Sequence, residues 1–314
     1  MTDEEKFHLL TQPFGRHNIN RLDIYDRLKS RYTAFLNKYS TDPQLEKKFP
    51  NIIVDFRQTY EFNAFAKKVQ DQYLIGFNHV VFTIIHNVFS LILSNPNLLK
   101  DVGNPEEEVE KEEKFNLLIY LENLKSYDDF DRIVDIIPKN NIRKIYAGHL
   151  TLLAMDFLFD HEFSHILFGH LDWLSKKQKL DMYSEFHSSV EGLSLFDLQT
   201  LEMDADSTAT ARSCARIVEI VNGYGFLPGP DLSFIYKDYY TAFSTLCYSI
   251  SILLMLFGDE DVKNTQAGKS THPASRIRLH FVIGIIDEAS KAFKLDLKSE
   301  ELTIKCLDKM MEAR

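Results

Sequence analysis

Residues 150–170 read LTLLAMDFLFDHEFSHILFGH, a largely apolar run that carries three histidines and a glutamate in its second half. The first part, residues 150–160, contains no Gly or Pro, which predicts a largely buried helix. His161 and His165 are four residues apart, so on a helix both imidazoles lie on one side and can reach one ion. Glu162 is about a quarter turn from His161, where it can touch a water on that ion without binding the ion. The motif HEFSH therefore predicts a site for one Zn²⁺ ion inside a buried helix.

A third ligand is expected, because catalytic zinc usually takes three protein ligands and leaves a fourth position for water. Residues 198–213 read LQTLEMDADSTATARS and place Glu202 and Asp206 four residues apart on one helix face. Asp204 points roughly opposite on the same helix. We expect Glu202 to bind the ion and Asp206 to accept the free N–H of a liganding imidazole, which fixes the direction of that ring.

His170 is a further histidine close to the motif. It follows His161 by nine residues, which on one unbroken helix turns it to the opposite face. We therefore predict a structural role for His170. That prediction depends on the helix continuing past Gly169, a residue type that often ends helices. A role for His170 as fourth ligand would close the site and abolish catalysis.

These residues resemble the gluzincin metallopeptidases, the family of the type I CAAX prenyl protease and the heat-shock protease HtpX. That family has HExxHxxxxH followed by ExxxD, and this chain has HEFSHILFGH at 161–170 and EMDAD at 202–206. NAFA at 63–66 looks like an upstream strand of the family. THPASRIR at 271–278 looks like its downstream block, with an Arg six residues after the His. The four blocks occur in the family's order.

The resemblance implies roles for residues outside the metal site. Asn63, Ala64 and Phe65 would belong to an edge strand beside the active site, to which an extended substrate adds by backbone pairing. His272 and Arg278 would face the metal and donate to the oxyanion that develops on the scissile carbonyl.

Arg276 is a weaker candidate for the same place. The implied fold is α+β and mainly helical, zincin-like, with a small antiparallel sheet packed on the active-site helices.

The predicted function is that of a zinc-dependent metalloendopeptidase that hydrolyses peptide bonds of a protein substrate. One alternative is a regulatory peptidase of the phage-exclusion or stress type, specific for one host protein. Another is a non-catalytic zincin-fold binding protein with structural zinc. In a third, a helical domain without metal, the motif matches are accidental.

Composition narrows the set of partners and the compartment. The net charge of −10 argues against binding to nucleic acid or to anionic membranes. Cys214, Cys247 and Cys306 show no CxxC spacing and fit a reducing cytoplasm. No secretory signal is visible at the N-terminus, so we expect a cytoplasmic protein. The sequence carries no signal of oligomeric state.

The most apolar runs, residues 80–93 and 246–257, are shorter than the ~20 residues that span a bilayer. We therefore interpret them as core helices; a peripheral or re-entrant membrane contact is the alternative, and membrane association is not expected. The predicted organisation is an N-terminal helical segment at 1–50, a peptidase domain at 51–290 and a C-terminal helical tail at 291–314. Residues 98–145 form a predicted insertion into the peptidase domain, and the charge run EEEVEKEEK within them fits a solvated surface.

Overall fold

The computed structural model describes residues 21–41, 50–59, 61–108, 137–178, 182–184, 194–224, 232–257 and 273–295. These residues form mainly helices together with one small sheet, which agrees with the predicted α+β class. In chain order the elements are α1 (Arg21–Ser40), β1 (Asn51–Arg57), β2 (Ala64–Val69), β3 (Gln72–Asn78), α2 (His79–Leu93), α3 (Asn141–Leu167), α4 (His170–Gln178), β4 (Met182–Ser184), α5 (Leu195–Val221), α6 (Tyr239–Phe257) and α7 (Ser275–Ala292).

Helix α3 is the central element, and it carries the HEFSH motif near its C-terminal end. Its N-terminus is capped by Asn140, whose side chain accepts hydrogen bonds from the main-chain N–H groups of the next turn. Most of its residues are buried on every side, because α2, α5 and α6 pack around it. A helix without a solvated face is expected to be largely apolar, as residues 150–160 are. The two aspartates in this stretch, Asp156 and Asp160, are each paired with arginine.

The sheet is mixed, with strand order β1-β3-β2-β4. Strand β2 pairs antiparallel with β3 and β4, whereas β1 pairs in parallel with β3. The predicted antiparallel sheet is therefore wrong for one pair. A connection of six residues can reach up to about 20 Å, which exceeds the distance of about 10 Å from β1 past β3 to β2.

The sheet lies directly on the site helices. Helix α3 packs against β2 and β3, and α4 packs against β2. Asp172 on α4 fastens this contact, because its carboxylate pairs with the Lys68 ammonium of β2 and accepts a hydrogen bond of 2.8 Å from the Tyr73 hydroxyl of β3. The position of the small sheet on the helices is thus as predicted.

Helix α1 belongs to the same hydrophobic core as the rest of the described chain. Its buried Tyr32 stacks on Phe159 of α3 with ring centroids 4.2 Å apart. The predicted N-terminal segment is therefore packed against the centre of the fold over α1, and residues 1–20 and 42–49 lie outside the described residues. Of the predicted tail, residues 296–314 lie outside them as well.

The predicted insertion is described at its two ends, and residues 109–136 lie outside the described part. The Glu108 carboxylate accepts hydrogen bonds of 3.0 Å from the main-chain N–H groups of Lys139 and Asn140, so the two ends meet. Arg143 is fully buried beside these two ends of the insertion and holds the chain in place there. Its guanidinium donates to the main-chain carbonyls of Leu93, Asn95, Leu98, Leu99 and Val102.

Helix α6 is the one described helix whose length and apolar composition would suffice to cross a bilayer. Within the protein, 83% of its most apolar stretch is buried. This burial fits the predicted core helix. Composition alone does not distinguish the two kinds of helix, because a core helix and a membrane span can be equally apolar.

Candidate metal site

Helices α3 and α5 bring His161, His165 and Glu202 together. One ligand atom from each residue lies within 4.8 Å of the others, and the three side chains are almost completely buried. Ala205, with no exposed surface, lies between Glu202 and Asp206 on α5 and permits the close approach of the two helices. The described part of the chain therefore contains a buried group that could hold a metal ion.

The spacing of the ligand atoms fits a tetrahedral ion. His161 Nε2 lies 3.2 Å from His165 Nε2. The Glu202 carboxylate oxygens lie 3.5 Å from His161 Nε2 and 3.6 Å from His165 Nε2. Two ligands of a tetrahedral ion at about 2.0–2.1 Å are about 3.3 Å apart, so each separation is close to that value, with Oε2 of Glu202 nearest His161 and Oε1 nearest His165.

Asp206 orients His161. His161 Nδ1 lies 2.9 Å from Asp206 Oδ1, and an ionised carboxylate only accepts, so Nδ1 carries the hydrogen. In the neutral ring, Nε2 then keeps a lone pair that points into the cluster. This is the hydrogen bond expected from the ExxxD spacing, and it is the kind of outer contact that fixes a metal-binding imidazole.

Arg278 on α7 forms a two-point ion pair with Asp206. Arg278 Nε lies 2.7 Å from Oδ2, and Nη2 lies 2.8 Å from Oδ1. Burial alone would raise the pKa of the Asp206 carboxyl, but the charge and hydrogen bonds of Arg278, together with the bond from His161, hold this pKa below its ordinary value. Asp206 is therefore ionised and can accept from His161.

This pairing gives Arg278 a contact that the sequence did not predict. Two of its nitrogens are directed at Asp206, so Arg278 can position His161 through Asp206, and its expected oxyanion role stays a prediction. Arg276, the weaker candidate, is exposed to solvent. His272 lies outside the described residues, so its predicted role stays a prediction.

His170 is close to the site, although an unbroken helix would have placed it on the opposite face from His161. Helix α3 ends at Leu167, and Gly169 adopts a φ of +72°, which turns the chain so that His170 begins α4. His170 Nδ1 lies 2.9 Å from His165 Nδ1, on the side of that ring away from the cluster. His170 thus contacts a predicted ligand without joining the group of ligands.

Asp204 is the residue that sequence reasoning missed. It was expected to point away from the site, yet its Oδ2 lies 3.1 Å from His170 Nε2. Burial lowers the pKa of the His170 imidazole, and the Asp204 carboxylate partly offsets this effect. The signal in the sequence was Gly169. A helix end at that position turns His170 away from the face it would have on an unbroken α3, and this allows its contact with Asp204.

Glu162 follows His161 on α3, and its side chain is 1% exposed. A carboxylate at this position of a helix is about 100° from the metal-binding edge, which is the offset expected of a proton acceptor beside the ion. Its almost complete burial is costly for a purely structural carboxylate. The position of Glu162 therefore suits a group that exchanges protons inside a closed site.

The NAFA stretch forms the start of β2 from Ala64 onward, and part of its edge of the sheet is occupied. Phe65 pairs with Gly76 of β3 on one side and with Ser184 of β4 on the other. The predicted substrate edge is therefore corrected at Phe65, whereas the described residues of β4 do not reach Ala64, where the edge stays a prediction. Asn63 is buried, and its carbonyl accepts a hydrogen bond of 3.1 Å from the main-chain N–H of Asn78.

The Phe65 side chain has a packing role in this strand. Its ring lies over Gly76, and a Cβ at position 76 would overlap it. The Arg57 guanidinium, from β1, lies 4.5 Å from the centroid of the Phe65 ring. Phe65 thus anchors β2 on β3.

Comparisons of the chain with protein-family models, curated proteins and solved structures found no match. The candidate site therefore rests on the residues and geometry of the chain itself.

Proposed function

We propose that the protein is a zinc-dependent metalloendopeptidase of the zincin type, with a protein as its substrate and the cytoplasm as its compartment. The observation that carries this proposal is the buried group of His161, His165 and Glu202, with separations of 3.2 to 3.6 Å between its ligand atoms. Two imidazoles and one carboxylate are the ligand set of one class of catalytic zinc site.

Zinc is favoured over calcium and magnesium by the chemistry of the donors. Calcium and magnesium prefer six or more oxygen ligands, whereas this group offers two imidazole nitrogens. Both rings are held in the correct direction by outer hydrogen bonds of 2.9 Å, from His161 to Asp206 and between His165 and His170. Such contacts are typical of metal-binding histidines.

Three ligands leave a tetrahedral ion with one open position, which a catalytic site needs. His170 does not fill it, because its Nδ1 faces the back of the His165 ring. The alternative of a structural zinc closed by His170 therefore loses its support. The proposal of a peptidase fits the described residues better than that of a non-catalytic binding protein.

Bound zinc would supply a Lewis acid that lowers the pKa of water toward neutrality. Glu162 then takes a proton from the attacking water and delivers it to the leaving amine. Arg278 keeps Asp206 ionised, and Asp206 keeps the Nε2 lone pair of His161 directed into the cluster. Each of these residues thus has a separate task.

The decisive variant is Glu162→Gln, which keeps the shape of the side chain and removes the proton acceptor. We expect it to retain one zinc per chain and to lose about 10²–10⁴-fold of the cleavage rate on a labelled unfolded protein. Glu219→Gln is the matched control, because Glu219 is exposed on α5 near its C-terminal end. It should cleave like the native protein.

Cleavage by Glu162→Gln at the native rate, with zinc bound, would contradict the proposal. The natural substrate can be sought with the same pair of proteins. Cells that express the native chain should contain new protein termini that are absent from cells with the Glu162→Gln variant.

A further inference from the structure

His165 differs from His161 in how its outer nitrogen is held. His161 donates directly to a carboxylate, whereas His165 contacts a second imidazole, which in turn contacts a carboxylate. We propose that His170 and Asp204 form a two-step relay that fixes the tautomer and ring direction of His165, so that its Nε2 presents a lone pair to the metal. This inference rests on the proposed metal site and adds two positioning residues to it.

The relay follows from counting hydrogens, starting at its outer end. An ionised carboxylate has no hydrogen to give, so the contact of 3.1 Å between Asp204 Oδ2 and His170 Nε2 places a hydrogen on Nε2. A neutral imidazole carries only one N–H, so His170 Nδ1 is an acceptor. The contact of 2.9 Å with His165 Nδ1 then requires the hydrogen on His165 Nδ1. His165 Nε2 is left with its lone pair.

The same count applied to His161 gives a matching result. Asp206 places the hydrogen of His161 on Nδ1, so its Nε2 also has a lone pair. The two Nε2 atoms are 3.2 Å apart, and two lone pairs at that distance repel unless something positive lies between them. The bond between His161 and Asp206 and the relay to His165 thus direct both Nε2 lone pairs to the same place, where a cation can bind.

The reverse allocation of hydrogens has a different consequence. It would put a hydrogen on His170 Nδ1 and therefore leave His165 Nδ1 as an acceptor. His165 would then carry its hydrogen on Nε2, a nitrogen that cannot bind metal in that state. The orientation of the relay consequently decides whether His165 is a ligand.

Local structure explains why the relay is precise. The positive φ of Gly169 ends α3 and starts α4, which sets the His170 ring against His165 from the following turn. Helix α4 is in turn fixed to the sheet through Asp172. His170 is 6% exposed, so its contact with His165 is shielded from competing water, whereas the Asp204 side chain at the outer end of the relay is 50% exposed.

The first test compares zinc affinity between two variants of His170 in the full chain. His170→Leu removes the acceptor, and we expect zinc affinity to fall about 10–100-fold. His170→Asn offers an amide oxygen at about the position of Nδ1 and an amide N–H toward Asp204, so it should keep most of the affinity. Native affinity in His170→Leu, or an equal loss in both variants, would overturn the relay.

Asp204 is tested in the same way against an exposed carboxylate of the same helix. Asp204→Lys puts a donor where the relay needs an acceptor, so it should lower zinc affinity more than Asp204→Asn does. Glu219→Lys makes the same change of charge on an exposed part of α5 and should bind zinc like the native chain. Equal affinities of Asp204→Lys and Glu219→Lys would overturn the role of Asp204.

The second test needs no substitution. The ¹⁵N spectra of the imidazoles in the zinc-loaded full chain distinguish nitrogens that carry hydrogen from those that do not. We expect hydrogens on Nδ1 of His161 and His165 and on Nε2 of His170, with no hydrogen on His170 Nδ1. A hydrogen on Nδ1 of His170 would overturn the proposal.

These readouts also separate this inference from the proposed function. If the relay is correct and the protein is no peptidase, the tautomers and the zinc affinities will be as expected while no substrate is cut. If the protein is a peptidase without the relay, Glu162→Gln will lose activity while His170→Leu binds zinc normally.

Discussion

Asp160 and Glu202 are both completely buried carboxylates on the facing helices α3 and α5, yet their surroundings differ. Asp160 is neutralised by protein cations. Its Oδ1 accepts a hydrogen bond of 2.9 Å from Arg212 Nε, and its Oδ2 pairs with Arg216. The Arg212 guanidinium also lies 4.9 Å from the centroid of the Phe163 ring, on the motif helix.

Glu202 has longer ion-pair distances to three nitrogens. They are 3.5 Å to His161 Nε2, 3.6 Å to His165 Nε2 and 3.9 Å to Arg278 Nη2. These distances exceed normal hydrogen bonds, and the two to imidazole nitrogens fit ligands that could share an ion. The difference teaches that Asp160 is held by short bonds to two arginines, whereas the Glu202 carboxylate lies where it could bind a metal ion.

The largest expected effect on stability is at Asp160. Asp160→Asn leaves two partly buried guanidinium groups without their carboxylate, so we expect a loss of about 3–5 kcal/mol in the free energy of unfolding. Urea denaturation of the metal-free chain measures it. Zinc affinity of the protein that remains folded should be unchanged, and a selective loss of zinc would place Asp160 in the metal site instead.

Glu202→Gln makes the same change, from carboxylate to amide, at the second buried carboxylate. We expect zinc affinity to fall by more than about 100-fold, because a direct ligand is lost and outer partners already cost 10–100-fold. The metal-free chain should be as stable as the native one or more so, since a buried charge is removed. If urea denaturation finds a loss as large as that of Asp160→Asn, the contrast between the two carboxylates is wrong.

Asp206→Asn has an intermediate expected effect. The amide can donate to His161 Nδ1 and so reverse the tautomer of that ring, which should reduce zinc affinity about 10–100-fold. A competition titration with a chelator of known affinity measures the change. Native affinity would show that the bond between His161 and Asp206 does not orient the ligand.

The smallest expected effect concerns pH and lies away from the metal site. Burial lowers the pKa of His149 to about 4, and its Nε2 lies 2.8 Å from the Tyr236 hydroxyl. The pKa of His149 is lower in the folded chain than in the unfolded chain. Its contribution to the free energy of unfolding is therefore fully present above about pH 6.5 and is lost as the pH falls toward 4.

Between pH 6.5 and 5.5 this histidine should account for about 1 kcal/mol of lost stability. His149→Gln, which keeps an acceptor for Tyr236, should remove that part of the pH dependence. His280→Gln, at an exposed position of α7, serves as the control and should leave the dependence unchanged. Identical pH profiles of the native chain and His149→Gln would contradict the expected linkage.

The parts of the site that sequence predicted are those fixed by helix geometry alone. His161 and His165, and Glu202 and Asp206, share faces because four residues return a helix to nearly the same direction. The buried helix at residues 150–160 was predicted from its apolar residues, whereas the α+β class was implied by the family resemblance.

The errors depend on chain turns and on distant contacts. The parallel pairing of β1 depends on the path of residues 58–63, and the occupied edge of β2 depends on β4, a strand more than a hundred residues away in sequence. The contact of His170 depends on a single backbone angle at Gly169. The position of Arg278 depends on the packing of α7 against α5.

The most direct test of the metal site is the X-ray absorption spectrum at the zinc edge of the full chain loaded with one equivalent of zinc. We predict only nitrogen and oxygen donors at about 2.0–2.1 Å, with the scattering pattern of two imidazole rings. Failure to bind one equivalent, or a sulfur shell at about 2.3 Å, would contradict a zinc site built from His161, His165 and Glu202.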